Sequence, residues 1–267
     1  MIVKNAYVFT EKCRFEKKDI CIQGDLFAEI TEDREVIDGS GCFAVPGLTD
    51  IHLHGCAGYD FSDGTQEAIR AMAAHEASVG VAVMVPAAMT LSEERLMKIC
   101  KTAAQYRKEQ ALGYDSKQAL LWGIHLEGPF IAGGKRGAQN PAYIREPDIE
   151  LFRRLNRAAE GCIRLTGLAP ERKGAMDFIE ELHTETVISL AHTEADYETA
   201  EQAFRRGVRH VTHLYNAMNP MTHRAPGPVG AAADYEECEA ELICDGIHIH
   251  PAVVRNTFRM FGKKDSF

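Results

Sequence analysis

The chain has 267 residues, 45% of them hydrophobic, enough apolar material for one large core or a large core with a small satellite. A formal charge of −9 argues against nucleic acid or an anionic membrane surface as a partner. No apolar run reaches bilayer-spanning length, and the 8 scattered cysteines form no Cys-x-x-Cys pair, so the expectation is a cytoplasmic protein with reduced thiols.

Residues 2–40 predict short strands (Ile2–Phe9, Lys18–Gln23, Phe27–Ile30) punctuated by Gly24-Asp25 and Asp38-Gly39-Ser40-Gly41. The segment is too short and too polar to hold a core alone, and is expected to be part of a small β-sandwich domain over residues 1–42. Beyond it, apolar strand-like runs alternate with helical patterns, the rhythm of a parallel sheet. The predicted strands are Phe43–His52, Val81–Pro86, Leu120–Glu127, Cys162–Leu168, Val187–His192, Arg209–Leu214 and Glu241–Ile247. The predicted helices are Thr65–Ser78, Ser92–Glu109, Glu146–Ala159, Gly174–His183 and Asp196–Arg206, with Ser92 and Asp196 as helix starts. Phe258–Phe267 reads as the end of a further helix, a turn at residues 262–265, and the first residues of another strand. The fold class is therefore α/β: a TIM-like (β/α)₈ barrel over residues 43–267, with seven of its eight strands present.

In parallel-sheet folds, functional groups collect where strands end. His52 and His54 follow the first run, at a spacing that puts both on one face of an extended segment. Glu127 ends the third run, His192 the fifth and His213 the sixth. A single such residue is more often a satisfied polar group than a ligand. Five nitrogen and oxygen donors at strand ends favour a divalent metal: zinc first, with iron or manganese also suited. His75 and His183 fall in helical patterns and read as surface or packing residues. By alternation His125 shares the face of Glu127 and is placed as its orienting partner, His250 is unassigned, and Cys56 reads as a buried thiol.

The segments Pro46–Gly58, His125–Phe130, Gly137–Pro141, Ala191–Thr193, Thr212–Gly230 and Asp245–His250 resemble, in order and spacing, the motifs of N-acetylglucosamine-6-phosphate deacetylases. That family belongs to the amidohydrolase superfamily of metal-bearing (β/α)₈ barrels. The resemblance implies Glu127, His192 and His213 as ligands of the main metal and His52 with His54 as a second site, hence one or two ions. It also implies Gln139, Asn216, Ala217, Arg224 and His248 as the substrate pocket, with Arg224 and His248 as a cationic clamp on a sugar phosphate. The implied reaction is hydrolysis of N-acetyl-D-glucosamine 6-phosphate to D-glucosamine 6-phosphate and acetate, by an enzyme that is a homodimer when full length.

Two departures qualify the resemblance. Many members carry histidine where this chain has Gln139. The catalytic aspartate expected at the end of strand eight has no match, so it is expected beyond residue 267 of a C-terminally truncated chain, inactive and poorly soluble by itself. The alternatives are a deacetylase of a related substrate such as N-acetylgalactosamine 6-phosphate, or an inactive truncated remnant that binds metal.

Overall fold

The computed structural model describes residues 1–113, 115 and 117–262. The chain divides into two compact units between Leu48 and Thr49.

The first unit is a small sheet of β1 (Ile2–Phe9), β2 (Phe15–Gln23), β3 (Leu26–Ala28), β4 (Val36–Asp38) and β5 (Phe43–Ala44). β1 pairs antiparallel with β2, Ile2 opposite Cys21 and Phe9 opposite Phe15, and parallel with β4 and β5. Tyr7 lies opposite Phe43, which carries this unit past the boundary expected at residue 42. Ala6 is its one fully buried apolar side chain among the described residues, and Gly39 is needed beside it: a Cβ there would stand 3.0 Å from that of Ala6.

The second unit carries the parallel strands. In chain order these are β6 (Leu48–Asp50), β9 (Val81–Met84), β10 (Ala87–Ala88), β11 (Leu120–Leu121), β12 (Ile124–Leu126), β13 (Ile163–Leu168), β14 (Val187–Leu190), β15 (His210–Val211) and β16 (Glu239–Ala240). A short hairpin, β7 (Gly55–Cys56) and β8 (Tyr59–Asp60), lies between β6 and the first helix. One sheet runs β10-β12-β13-β14-β15-β16 and a second runs β11-β9-β6; together they form the open, incomplete barrel of an α/β fold. The registers are parallel throughout, for example Leu165 with Val187 and Ser189 with His210, so the C-terminal ends of the strands gather on one side.

The helices are α1 (Gln66–Ser78), α2 (Glu93–Leu112), α3 (Ile149–Ala158), α4 (Ala175–Leu182), α5 (Tyr197–Arg206), α6 (Gly227–Asp234) and α7 (Pro251–Phe261). Side chains cap several starts as the residue types dictate: Ser92 Oγ accepts from Arg95 N–H and Asp196 Oδ1 from Thr199 N–H. Their apolar faces meet the strands in one core that includes Phe130, Phe152, Phe178, Phe204, Leu126 and Leu190, all fully buried.

Several expectations are corrected. The run Phe43–His52 is split: its first residues join the small sheet and only Leu48–Asp50 continues as β6. The strand expected at Glu241–Ile247 is β16, two residues long and earlier in the chain. Glu241 still pairs through its backbone with Val211 and Leu214; after it the chain leaves the sheet, and the Asp245 carboxylate accepts from the Ile247 and His248 N–H groups in a local turn that competes with strand pairing. Residues 146–148 do not open α3, because Pro147 disfavours helix before it and Asp148 is the cap. Helix α6 escapes periodicity because six of its residues are buried, leaving no polar face to mark. Most of the turn and all of the strand expected after Gly262 lie outside the described residues.

Candidate metal centre

Parallel pairing sets the stage. β12, β13, β14 and β15 are successive neighbours, so Glu127, one residue past β12, shares an edge with His192 and His213, each two residues past its strand. His192 and His213 have positive φ, 46° and 34°, an unfavoured conformation for non-glycine residues that ends each strand sharply and turns the ring inward. Gly167 makes room from the side: a Cβ there would lie 2.3 Å from the Glu127 carbonyl oxygen.

The three side chains converge. Glu127 Oε1 lies 3.0 Å from His192 Nε2 and 3.3 Å from His213 Nε2, and the two Nε2 atoms are 3.1 Å apart. All three residues are buried, Glu127 at 2% exposure. His52 Nε2 approaches Glu127 Oε1 at 3.5 Å and His54 Nε2 approaches Oε2 at 3.4 Å. Both sets, Glu127/His192/His213 and His52/His54/Glu127, hold their ligand atoms within 4.8 Å of one another.

Tautomers decide what this cluster is suited to. His192 Nδ1–H donates to the Lys135 carbonyl at 2.8 Å, His54 Nδ1–H to the Ala87 carbonyl at 3.3 Å, and His52 Nδ1–H to the Glu241 carboxylate at 2.6 Å. With those Nδ1 atoms committed, Nε2 is the ring atom each of these histidines presents to the Glu127 carboxylate. Positive charge among the donors, as ring protons or as a metal ion, holds such an arrangement together, and the nitrogen–carboxylate mixture suits a divalent ion. The donor set fits a metal.

Electrostatics agree with that demand for positive charge. Burial alone would raise the Glu127 carboxyl, yet hydrogen bonds from His192, His213 and His52 hold it well below the usual range. Burial would lower the His52 imidazole, but its contacts with Glu127 and Glu241 push it up to about 10. His125, fully buried, is pushed down to about 3, by burial first and then by the charge of His52. Its Nδ1–H donates to the Ile51 carbonyl at 3.3 Å, so it braces the segment leading to His52 and is not hydrogen-bonded to Glu127.

The other expected site residues are more dispersed. Gln139 is buried, with its amide committed at both ends: Nε2 donates to Glu127 Oε2 at 2.6 Å, and Oε1 accepts from Thr90 N–H at 2.6 Å. It orients the carboxylate from behind. Asn216 and Ala217 come after Leu214 and Tyr215 in the segment that follows His213, with Ala217 also at positive φ and its carbonyl accepting from Thr193 N–H at 3.0 Å. Arg224 is exposed in a loop beside a cavity of about 320 Å³ lined also by Asn219 and Thr222. His248 is exposed, its Nδ1–H donated to Asp245 at 2.6 Å. Among the described residues no hydrogen bond or ion pair joins Arg224 to His248.

No family model matches the chain. It is 31% identical over 269 residues to the N-acetylglucosamine-6-phosphate deacetylase of Bacillus subtilis (strain 168), an alignment covering 97% of this chain and 67% of that protein. The chain belongs to the N-acetylglucosamine-6-phosphate deacetylase family. It is also 33% identical over 210 residues to the N-acetylgalactosamine-6-phosphate deacetylase of Escherichia coli O157:H7, across 78% of this chain and 54% of that one. The solved structure of a mutant Mycobacterium smegmatis N-acetyl-D-glucosamine-6-phosphate deacetylase, in complex with N-acetyl-D-glucosamine-6-phosphate, superposes with a TM-score of 0.86 at 30% identity, covering 98% of this chain and 68% of that chain. The chain thus spans about two thirds of the length of its Bacillus relative.

As a deacetylase-family chain it carries the hydrolase architecture of the amidohydrolases, with His and Glu groups suited to a divalent metal. Among the described residues no helix is long and apolar enough to cross a membrane. Sequence reading passed over Glu241. Assigned to a strand, it had no motif to single it out; only the fold brings it beside His52, 189 residues away in the chain.

Proposed function

We propose that this chain carries the metal centre of a deacetylase acting on N-acetyl-D-glucosamine 6-phosphate and yielding D-glucosamine 6-phosphate and acetate. The observation that carries the reading is the convergence of Glu127, His192 and His213, with both Nε2 atoms facing one carboxylate oxygen. These residues would hold the main ion, zinc on chemical grounds, and His52 with His54 and Glu127 form an adjacent set for a second. A divalent ion bound there supplies Lewis acidity, lowering the pKa of water and polarising an amide carbonyl.

The chain's own residues do the positioning. The Lys135 and Ala87 carbonyls fix the tautomers of His192 and His54, and Gln139 holds Glu127 against rotation. Arg224 and His248 serve as the cationic phosphate clamp, with Asn216 and Ala217 along the sugar, and this substrate is met by a cytoplasmic homodimer. Hydrolysis also needs a carboxylate that takes a proton from water and returns it to the leaving amine. Glu127 and Glu241 are both engaged by imidazoles, so neither fills that role. We therefore expect the 267-residue chain to bind metal but turn over slowly alone.

The test pairs metal analysis with assay. Zinc should bind to the chain, and Glu127→Gln should weaken it by more than the roughly 10- to 100-fold that losing an orienting partner costs. Unchanged affinity would sink the metal assignment. The named Escherichia coli relative supports a second substrate, so hydrolysis of both N-acetylhexosamine 6-phosphates should be compared, and rapid turnover by the 267-residue chain would overturn the expectation of slow turnover.

A further inference from the structure

Outside the donor sets just described, the second unit buries a carboxylate without an obvious task. Glu241 follows β16 at the edge strand of the sheet, its side chain 11% exposed. One oxygen, Oε2, accepts two hydrogen bonds: from His52 Nδ1–H at 2.6 Å and from the backbone N–H of His213 at 3.1 Å. The other, Oε1, is buried without a hydrogen-bond partner among the described residues, and the nearest imidazole nitrogen recorded against it is His210 Nε2 at 3.7 Å.

A buried carboxylate is costly unless its bonds return the expense, and a short charge-assisted bond to an imidazole is among the strongest available. The geometry is that of a carboxylate–histidine–metal relay, in which the outer carboxylate selects the tautomer and raises the basicity of the inner ring. Here the inner ring is His52, whose Nε2 faces Glu127 Oε1 at 3.5 Å. The same oxygen pins the backbone of His213, whose positive φ swings its ring into the main set. One atom thereby touches both donor sets.

We propose that Glu241 is a positioning residue of the metal centre, which holds His52 with Nδ1–H donated outward and Nε2 aimed at Glu127, so that His52, His54 and Glu127 take a second divalent ion. The inference rests on the metal centre proposed above and adds a determinant of ion number outside every motif of the chain. Glu241→Met removes the acceptor at similar volume, while Glu241→Gln keeps an oxygen and loses the charge.

Two measurements on the 267-residue chain decide it. The first is ¹⁵N-imidazole NMR of His52 without metal. The unaltered chain should show a protonated Nδ1 with a strongly downfield proton. That proton should move upfield in Glu241→Gln and be lost to solvent exchange in Glu241→Met, which leaves Nδ1 without its acceptor. The second is cobalt(II) titration with ion counting. The unaltered chain should take two ions, Glu241→Met should bind the second about 10- to 100-fold more weakly, and Glu241→Gln should fall between.

An unshifted His52 proton in Glu241→Gln overturns the proposal even if Glu241→Met does not fold. So does a count of one ion in the unaltered chain, or two ions bound equally well by Glu241→Met. Failure of the unaltered chain to bind any ion would instead overturn the metal centre itself.

Discussion

Gly167 shows how a residue without chemistry can govern a site. Its missing Cβ lets β13 pass the Glu127 backbone, where a methyl group would stand 2.3 Å from the carbonyl oxygen. Gly167→Ala should displace Glu127 and lower both melting temperature and ion affinity, at a cost of about 1–3 kcal/mol for overpacking. A variant with unchanged melting and zinc binding would show that the strand yields freely. His210 supplies a pH signature. Burial holds its imidazole below the usual value, opposed by Glu241 and Glu239, so the native state keeps it neutral. The unfolded chain gains a proton below about pH 6.5. The stability His210 supports is therefore present above that pH and lost as the pH falls through it. Thermal melts from neutral pH to pH 5 should fall more steeply for the native chain than for His210→Gln; parallel curves would contradict this.

At the level of elements, helix starts follow residue type while strand ends follow the fold. Ser92 caps α2 through its own hydroxyl, a local bond to the N–H of Arg95 within the first turn, and sequence reading finds it. Ser92→Ala should cost about 1 kcal/mol in a denaturant melt with no change in ion binding, and a loss of zinc would reveal a longer-range role. The kinks at His192, His213, Tyr215 and Ala217 are another matter. No propensity places these residues at positive φ. The surrounding strands impose it, and the strain is retained where donors must converge.

On the scale of the whole molecule, the first unit leaves apolar surface open. Tyr7, Phe9, Phe15 and Phe43 form a contiguous aromatic cluster, with ring centroids 4.8–5.5 Å apart, yet each is at least 40% exposed. Leu26 and Phe27 are more exposed still, at 74% and 84%. Apolar surface of this kind drives association. The chain should self-associate in the micromolar range by analytical ultracentrifugation. Phe43→Ser should weaken this about ten- to a hundred-fold, from about 1.5–3 kcal/mol of lost burial. A strictly monomeric native chain would remove the basis for the poor solubility expected of it.

What was legible, and what was not, divides along physical lines. The α/β class, most strand and helix positions, and the five donors His52, His54, Glu127, His192 and His213 could be read from sequence, because side-chain period, capping chemistry and strand-end placement are local properties. The amino-acid order misled at residues 241–247, where apolar alternation looks like strand but the Asp245 side chain closes a turn instead. It was silent on Glu241 and on Gln139 as the brace behind Glu127, since these contacts join segments far apart in the chain. Residue types therefore set which groups are able to bind a metal. Which nitrogen His52, His54 and His192 present was decided only by tertiary structure, because the fold sets an acceptor against the opposite side of each ring.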